Sequence, residues 1–83
     1  MRLPRDVSGR DLAKALRSLG YESTRQSGSH MRLTTKHRGE HHVTVPDHEQ
    51  LRLGTLSGIL GDVAAHLGMS RDEVAARLFG GRR

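Results

Sequence analysis

Leu12, Ala13, Leu16 and Leu19 recur at spacings of three and four, which predicts an amphipathic helix. Ser8 stands where that helix should be capped, with Asp11 three residues on in an acidic variant of the capping box. Val7 and Leu12 flank the cap and suit a hydrophobic staple. Gly20 ends the helix. Arg10, Lys14 and Arg17 repeat at the same spacings and share its polar face. Residues 21–26 are predicted as a short first strand, and Ser27-Gly28-Ser29 as a turn. From His30 the pattern alternates: Met31 and Leu33 face one way, His30, Arg32 and Thr34 the other. Residues 35–40 form a polar loop around Gly39. Val43 and Val45 then alternate with His42 and Thr44 until Pro46 ends the strand. The result is a hairpin with one apolar and one basic, hydrophilic face.

Residues 47–54 are irregular. Thr55 is the expected N-cap of a second helix, in which Leu56, Ile59, Leu60, Val63 and Leu67 form the apolar stripe. Gly58 and Gly61 lie inside it and weaken it, so they are expected to allow close approach to the sheet. Gly68 ends this helix. Ser70 with Glu73 is a capping box for a shorter third helix that pairs Val74 with Leu78. Gly80-Gly81-Arg82-Arg83 reads as a frayed tail.

This order of elements predicts a two-layer α+β domain, α-β-β-β-α with an additional short C-terminal helix. The helices cover the apolar sheet face and leave the face with His30, Arg32 and His42 exposed. With 83 residues, the chain is expected to be one domain without repeats or linker. So short a chain buries little surface, so an active site should lie near the surface.

Composition narrows the chemistry. There is no cysteine, so disulfides and thiolate metal sites are excluded. The stretch Met1-Arg2-Leu3-Pro4-Arg5-Asp6 has no apolar segment behind its charges, so no signal peptide is expected and the cytoplasm is the expected location. No segment is long and apolar enough to span a membrane. Residues 1–45 hold nine Lys or Arg against four Asp or Glu, and residues 46–83 hold five of each. Five of the six histidines fall between residues 30 and 48. Positive charge and imidazoles thus share one part of the chain, a combination suited to a polyanion.

No metal is expected, since adjacent His41 and His42 on a strand point to opposite faces. Ser29 and His30 are neighbours in sequence, which does not make one the base for the other. No phosphate-cradling Gly-x-x-x-x-Gly-Lys loop occurs. Tyr21 and Phe79 are the only aromatic residues, so an aromatic base-stacking platform is also excluded. RNA binding would instead rest on phosphate contacts from Arg10, Lys14, Arg17, Arg25, Arg32, Lys36 and Arg38. An exposed imidazole such as His30 can take the proton of a 2′-hydroxyl, or donate one to a leaving 5′-oxygen, near neutral pH.

Three segments carry a resemblance. Ser27-Gly28-Ser29-His30, after a helix ending in Gly20-Tyr21, resembles the Gly-Ser-His signature of HicA-type toxins. Val43-Thr44-Val45-Pro46-Asp47-His48 resembles that family's Val-Pro-x-His segment. Gly54-Thr55-Leu56 followed by Ile59-Leu60 resembles the Gly-Thr-Leu-x-x-Ile-Leu start of its second helix. The likeness spans about residues 8–68, and the helix at about 70–80 extends beyond it. It implies a fold like the double-stranded-RNA-binding domain, ribonuclease activity on messenger RNA without a cofactor, and a cognate HicB-type antitoxin. By the same resemblance His30 is the catalytic residue and Gly28 and Ser29 shape its turn. His48 matches a recurrent family histidine and, with His42, is a possible auxiliary. The chain departs from the family at Met31-Arg32-Leu33, where a large apolar or aromatic residue often follows the histidine. The reading is an endoribonuclease toxin; a non-catalytic RNA-binding module on the same fold and a basic protein-interaction domain are the alternatives.

Overall fold

The computed structural model describes residues 3–80. Helix α1, Gly9–Leu16, runs on as a 3₁₀ turn, Arg17–Leu19, and stops at Gly20 in the left-handed conformation with φ 96°. Strands β1 (Glu22–Ser27), β2 (His30–Thr35) and β3 (His41–Pro46) form one antiparallel sheet in sequence order. Helices α2 (Leu53–Leu67) and α3 (Arg71–Phe79) complete the expected α+β order.

The alternation read from the sequence decides which sheet face is covered. Met31, Leu33, Val43 and Val45 are buried, whereas His30, Arg32, His42 and Thr44 are exposed. The buried set packs with Leu12 and Leu16 of α1, Leu56, Leu60 and Val63 of α2, and Val74 of α3. Each fully buried aliphatic side chain of this kind contributes about 1.5–3 kcal/mol. α3 therefore joins the helical layer, and the opposite sheet face stays open.

The caps follow the side-chain chemistry. Ser8 Oγ accepts from the Asp11 amide at 3.0 Å. At α3 the box is reciprocal: Ser70 Oγ accepts from the Glu73 amide at 3.0 Å, and Glu73 Oε1 accepts from the Ser70 amide at 3.1 Å. α2 differs from expectation. It starts at Leu53, two residues before its predicted cap at Thr55, with Arg52 as an N-cap that offers no side-chain bond. Buried Leu51, whose amide donates to the Val7 carbonyl at 2.8 Å, pins the chain just upstream. The first turn then closes from the Leu56 amide to the Arg52 carbonyl.

The glycines expected to admit the sheet do something else. A Cβ at Gly58 would meet open space, and one at Gly61 would meet the Arg71 guanidinium of α3. Helix and sheet backbones make their close approach at Gly9. A Cβ there would overlap the Pro46 carbonyl oxygen, and the Gly9 amide donates to the His48 carbonyl at 2.9 Å. The Gly80 amide bonds the Ala76 carbonyl, and the rest of the predicted tail lies outside the described residues.

Candidate active site

His30 opens the central strand. Ser27 and His30 pair across a two-residue turn, with Gly28 at φ 59° and Ser29 at ordinary negative φ. Positive φ at the first turn residue alone is the II′ hairpin pattern, which favours glycine there. On its other side His30 pairs with Pro46 of β3. The imidazole is exposed on the open face and makes no hydrogen bond or ion pair with other described residues.

The turn before His30 is braced from the covered side. The Asp47 amide donates to the Ser29 carbonyl at 2.6 Å. The Asp47 carboxylate accepts from Arg10 Nε at 3.1 Å and Arg10 Nη2 at 3.3 Å, and from Gln26 Nε2 at 3.2 Å. Gln26 Nε2 also lies 3.4 Å from the Gly28 carbonyl. α1, β1, the turn and the exit of β3 thus meet at one residue, Asp47, whose carboxylate holds Arg10 and Gln26 and whose amide holds the turn. Its hydrogen bonds from Arg10 hold Asp47 below the usual carboxylate range, and the same pairing raises Arg10.

The seven cations do not form one patch. Arg25 and Arg32 are register partners on the open face. Arg32 is two residues, about 7 Å, along the strand from His30. Lys14 and Arg17 line a groove between α1 and the sheet, with Ser23 and Met31 beneath them. Arg10 shares that groove, but its guanidinium is engaged by Asp47 while 76% of its side chain stays exposed. Lys36 and Arg38 belong to the β2–β3 loop at the far end of the sheet, and Arg38 holds φ 61°. Only Arg25 and Arg32 share the open sheet face with His30.

Of the two possible auxiliaries, His42 stands apart from His30, whereas His48 lies two residues beyond Pro46, the register partner of His30. His42 pairs with Thr34, four residues from His30 along β2, or about 13 Å. There His42 Nδ1 lies 2.7 Å from Thr34 Oγ1, and Nε2 lies 3.0 Å from Glu40 Oε2. His48 is exposed after β3, and its carbonyl receives the Gly9 amide.

The other histidines brace the fold. His41 points to the covered side, opposite His42. Its Nδ1 lies 2.8 Å from the hydroxyl of fully buried Tyr21, and its ring stacks on His66 with centroids 4.4 Å apart. His66 Nε2 reaches the carbonyls of His37 at 2.8 Å and Gly39 at 3.1 Å, which ties the β2–β3 loop to α2. Burial, then the neighbouring His66, lowers the His41 pKa; burial pushes Tyr21 up to about 12. Sequence reasoning missed these contacts, together with the Asp47 brace. Arg10 and Asp47 are 37 positions apart, and no local spacing marks such a pair.

Together, helices on one side and an exposed histidine beside two arginines on the other define a small α-β-β-β-α domain with an open, polar sheet face. A family model described as the HicA toxin of bacterial toxin–antitoxin matches residues 9–64. The chain belongs to the HicA toxin family, which implies a cognate antitoxin as partner. Gly9, His30, Pro46 and Asp47 all lie within the matched span. No curated protein and no solved structure matches the chain. Among the described residues no helix is long and apolar enough to cross a membrane.

Proposed function

We propose that the protein is a metal-independent endoribonuclease toxin that cleaves messenger RNA in the cytoplasm. The observation that carries this reading is His30: an unengaged imidazole on an open face, flanked by Arg32 and Arg25, in a HicA family chain. An imidazole, which can both accept and donate a proton, suits both halves of transesterification. As base, His30 removes the 2′-hydroxyl proton while the 2′-oxygen attacks phosphorus. As acid, it returns a proton to the 5′-oxygen as the P–O5′ bond breaks. The products are a 2′,3′-cyclic phosphate and a 5′-hydroxyl. Arg25 and Arg32 supply charge where the phosphorane develops it. Gly28 sets the turn, and the Asp47 brace fixes Ser29 and hence the direction in which His30 leaves it.

The remaining cations, Lys14 and Arg17 on α1 and Lys36 and Arg38 on the loop, would hold more distant phosphates. A HicB-type antitoxin would neutralise the toxin by covering the open face. α3 extends the family core and supports it from the helical layer.

The test is His30→Ala. RNA cleavage and growth arrest should disappear while RNA affinity stays within a few-fold, because acid–base catalysis contributes about 10²–10⁴ in rate without contributing much to binding. A fully toxic His30→Ala variant overturns the assignment. Mass analysis of the product ends tests the chemistry, and 5′-phosphate ends count against it.

A further inference from the structure

A second polar constellation occupies the open face at the end away from His30. Thr24 Oγ1 lies 2.9 Å from Thr34 Oγ1, which lies 2.7 Å from His42 Nδ1, and His42 Nε2 lies 3.0 Å from Glu40 Oε2. For the neutral ring this chain has one consistent direction. Glu40 accepts the Nε2 proton, Thr34 donates to Nδ1, and the single Thr24 hydroxyl proton is shared between Thr34 Oγ1 and the Arg32 carbonyl, 3.3 Å away. These four side chains and the two arginines, Arg25 and Arg32, line one shallow hollow. The bulge between Ser23 and Arg25 interrupts the register of the edge strand here and brings Thr24 to the face on which Thr34 stands.

The groups left over in this hollow specify its ligand. The guanidinium groups of Arg25 and Arg32 offer donors to an anion. At the other side Glu40 keeps a carboxylate that is 61% exposed, with only one of its oxygens held by His42. A carboxylate beside a phosphate track repels phosphate but accepts from exocyclic amines and ring imino groups. Arginines on one side and an acceptor on the other match a nucleotide: phosphate toward the arginines, amino-bearing base edge toward Glu40. Guanine presents two adjacent donors on its Watson–Crick edge, and uracil presents one. Sequence-specific RNA recognition works through unstacked bases read in this way.

We propose that this hollow is a nucleotide subsite that selects an amino-bearing base, guanine before the others, next to the bond that His30 cleaves. The inference rests on RNA being the substrate, and it adds a determinant of which RNA positions are cut. Arg25 and Arg32 lie between His30 and Glu40, so one strand can engage both ends of the face.

The experiment uses the full chain carrying His30→Ala and short single-stranded RNAs that differ in one base, guanine or uracil, in an otherwise uridine background. The expected result is about tenfold tighter binding of the guanine oligonucleotide, with the His42 ring signals shifting in NMR on titration. Adding Glu40→Gln should bring the ratio close to one while all-uridine affinity holds or rises, because a negative charge has left the phosphate track. A ratio near one in the parent protein overturns the proposal, as does a ratio unchanged by Glu40→Gln. Cleavage of the same oligonucleotides by the protein with His30 intact is scored separately. Loss of cleavage with a persisting guanine preference refutes the His30 reading and leaves the subsite standing. Cleavage without base preference does the reverse.

Discussion

Replacing Gly9 with alanine adds one methyl group at the first helical position of α1. In an open helical site that change stabilises by up to about 1 kcal/mol. At Gly9 the new Cβ would overlap the Pro46 carbonyl oxygen and stand 3.2 Å from the Asp47 Cα. Both neighbours are backbone, so neither can rotate away as a side-chain tip would. Overpacking of this kind costs about 1–3 kcal/mol, and the absence of a flexible neighbour puts Gly9→Ala near the upper end. The net expectation is a loss of about 2 kcal/mol. For a domain of this size that lowers the melting temperature by about 8–16 °C. Thermal and urea unfolding of the variant in a His30→Ala background, which avoids toxicity during expression, measures the change directly. Gly58→Ala is the control: its Cβ meets open space on the exposed side of α2, so the same substitution should stabilise by about 0.5–1 kcal/mol. Equal shifts for the two variants, or a Gly9→Ala protein as stable as its parent, would refute the reasoning. Pro46 is the register partner of His30, so Gly9→Ala should also slow RNA cleavage at temperatures where the protein is still folded.

Asp47→Asn should lower the turnover rate more than it weakens RNA binding, since it loosens the turn before His30 without removing a phosphate contact; equal losses in both, from single-turnover and binding measurements, would reassign Arg10 and Asp47 to RNA contact. The folded-state pKa of Asp47 is depressed, so its contribution is complete above the ordinary carboxylate value of about 4 and is lost as pH falls below it. The parent should therefore lose stability faster than Asp47→Asn in that acid range, as followed by urea midpoints. His41 is a base with a lowered folded-state pKa, so the unfolded chain takes up its proton first. Stability should then fall as pH drops through about 6.5, and His41→Gln should flatten that slope in melting curves. Arg25→Ala and Arg32→Ala should each reduce cleavage and shallow the salt dependence of RNA binding by about one ion, whereas Arg10→Ala should leave the salt slope near the parent value.

The parts of the fold visible in the sequence are those where one rule acts alone. Met31, Leu33, Val43 and Val45 alternate because one sheet face is covered, and that alternation also placed His30, Arg32 and His42 on the open side. Leu56 through Leu67 and the Ser70–Glu73 box were equally legible. β1 is exposed along its whole length, so it carries no periodic signal, and only the Gly28 turn betrays it. The start of α2 was misjudged because burial of Leu51 fixes it and no capping side chain marks it. At the site, His30 and its turn were readable from local motif and alternation. The split of the basic residues into three places was not, because it depends on how α1 and the β2–β3 loop dock. The carboxylate brace and the Thr34–His42–Glu40 chain depend on strand register, which residue spacing alone does not disclose.

The open sheet face carries no large exposed apolar side chain; among the described residues Leu53, on α2, is the large hydrophobic residue left exposed. A surface of arginine, glutamate, threonine and histidine offers little hydrophobic driving force to anything that covers it. Whatever docks there must be drawn by charge and held by hydrogen bonds. Encounter should then be fast and strongly slowed by salt, as for electrostatically steered partners. RNA and an antitoxin would compete for this face on the same electrostatic terms, so cellular ionic strength would weaken both rather than favour one. Which of them occupies the face would be decided by their relative concentrations and their rates of departure.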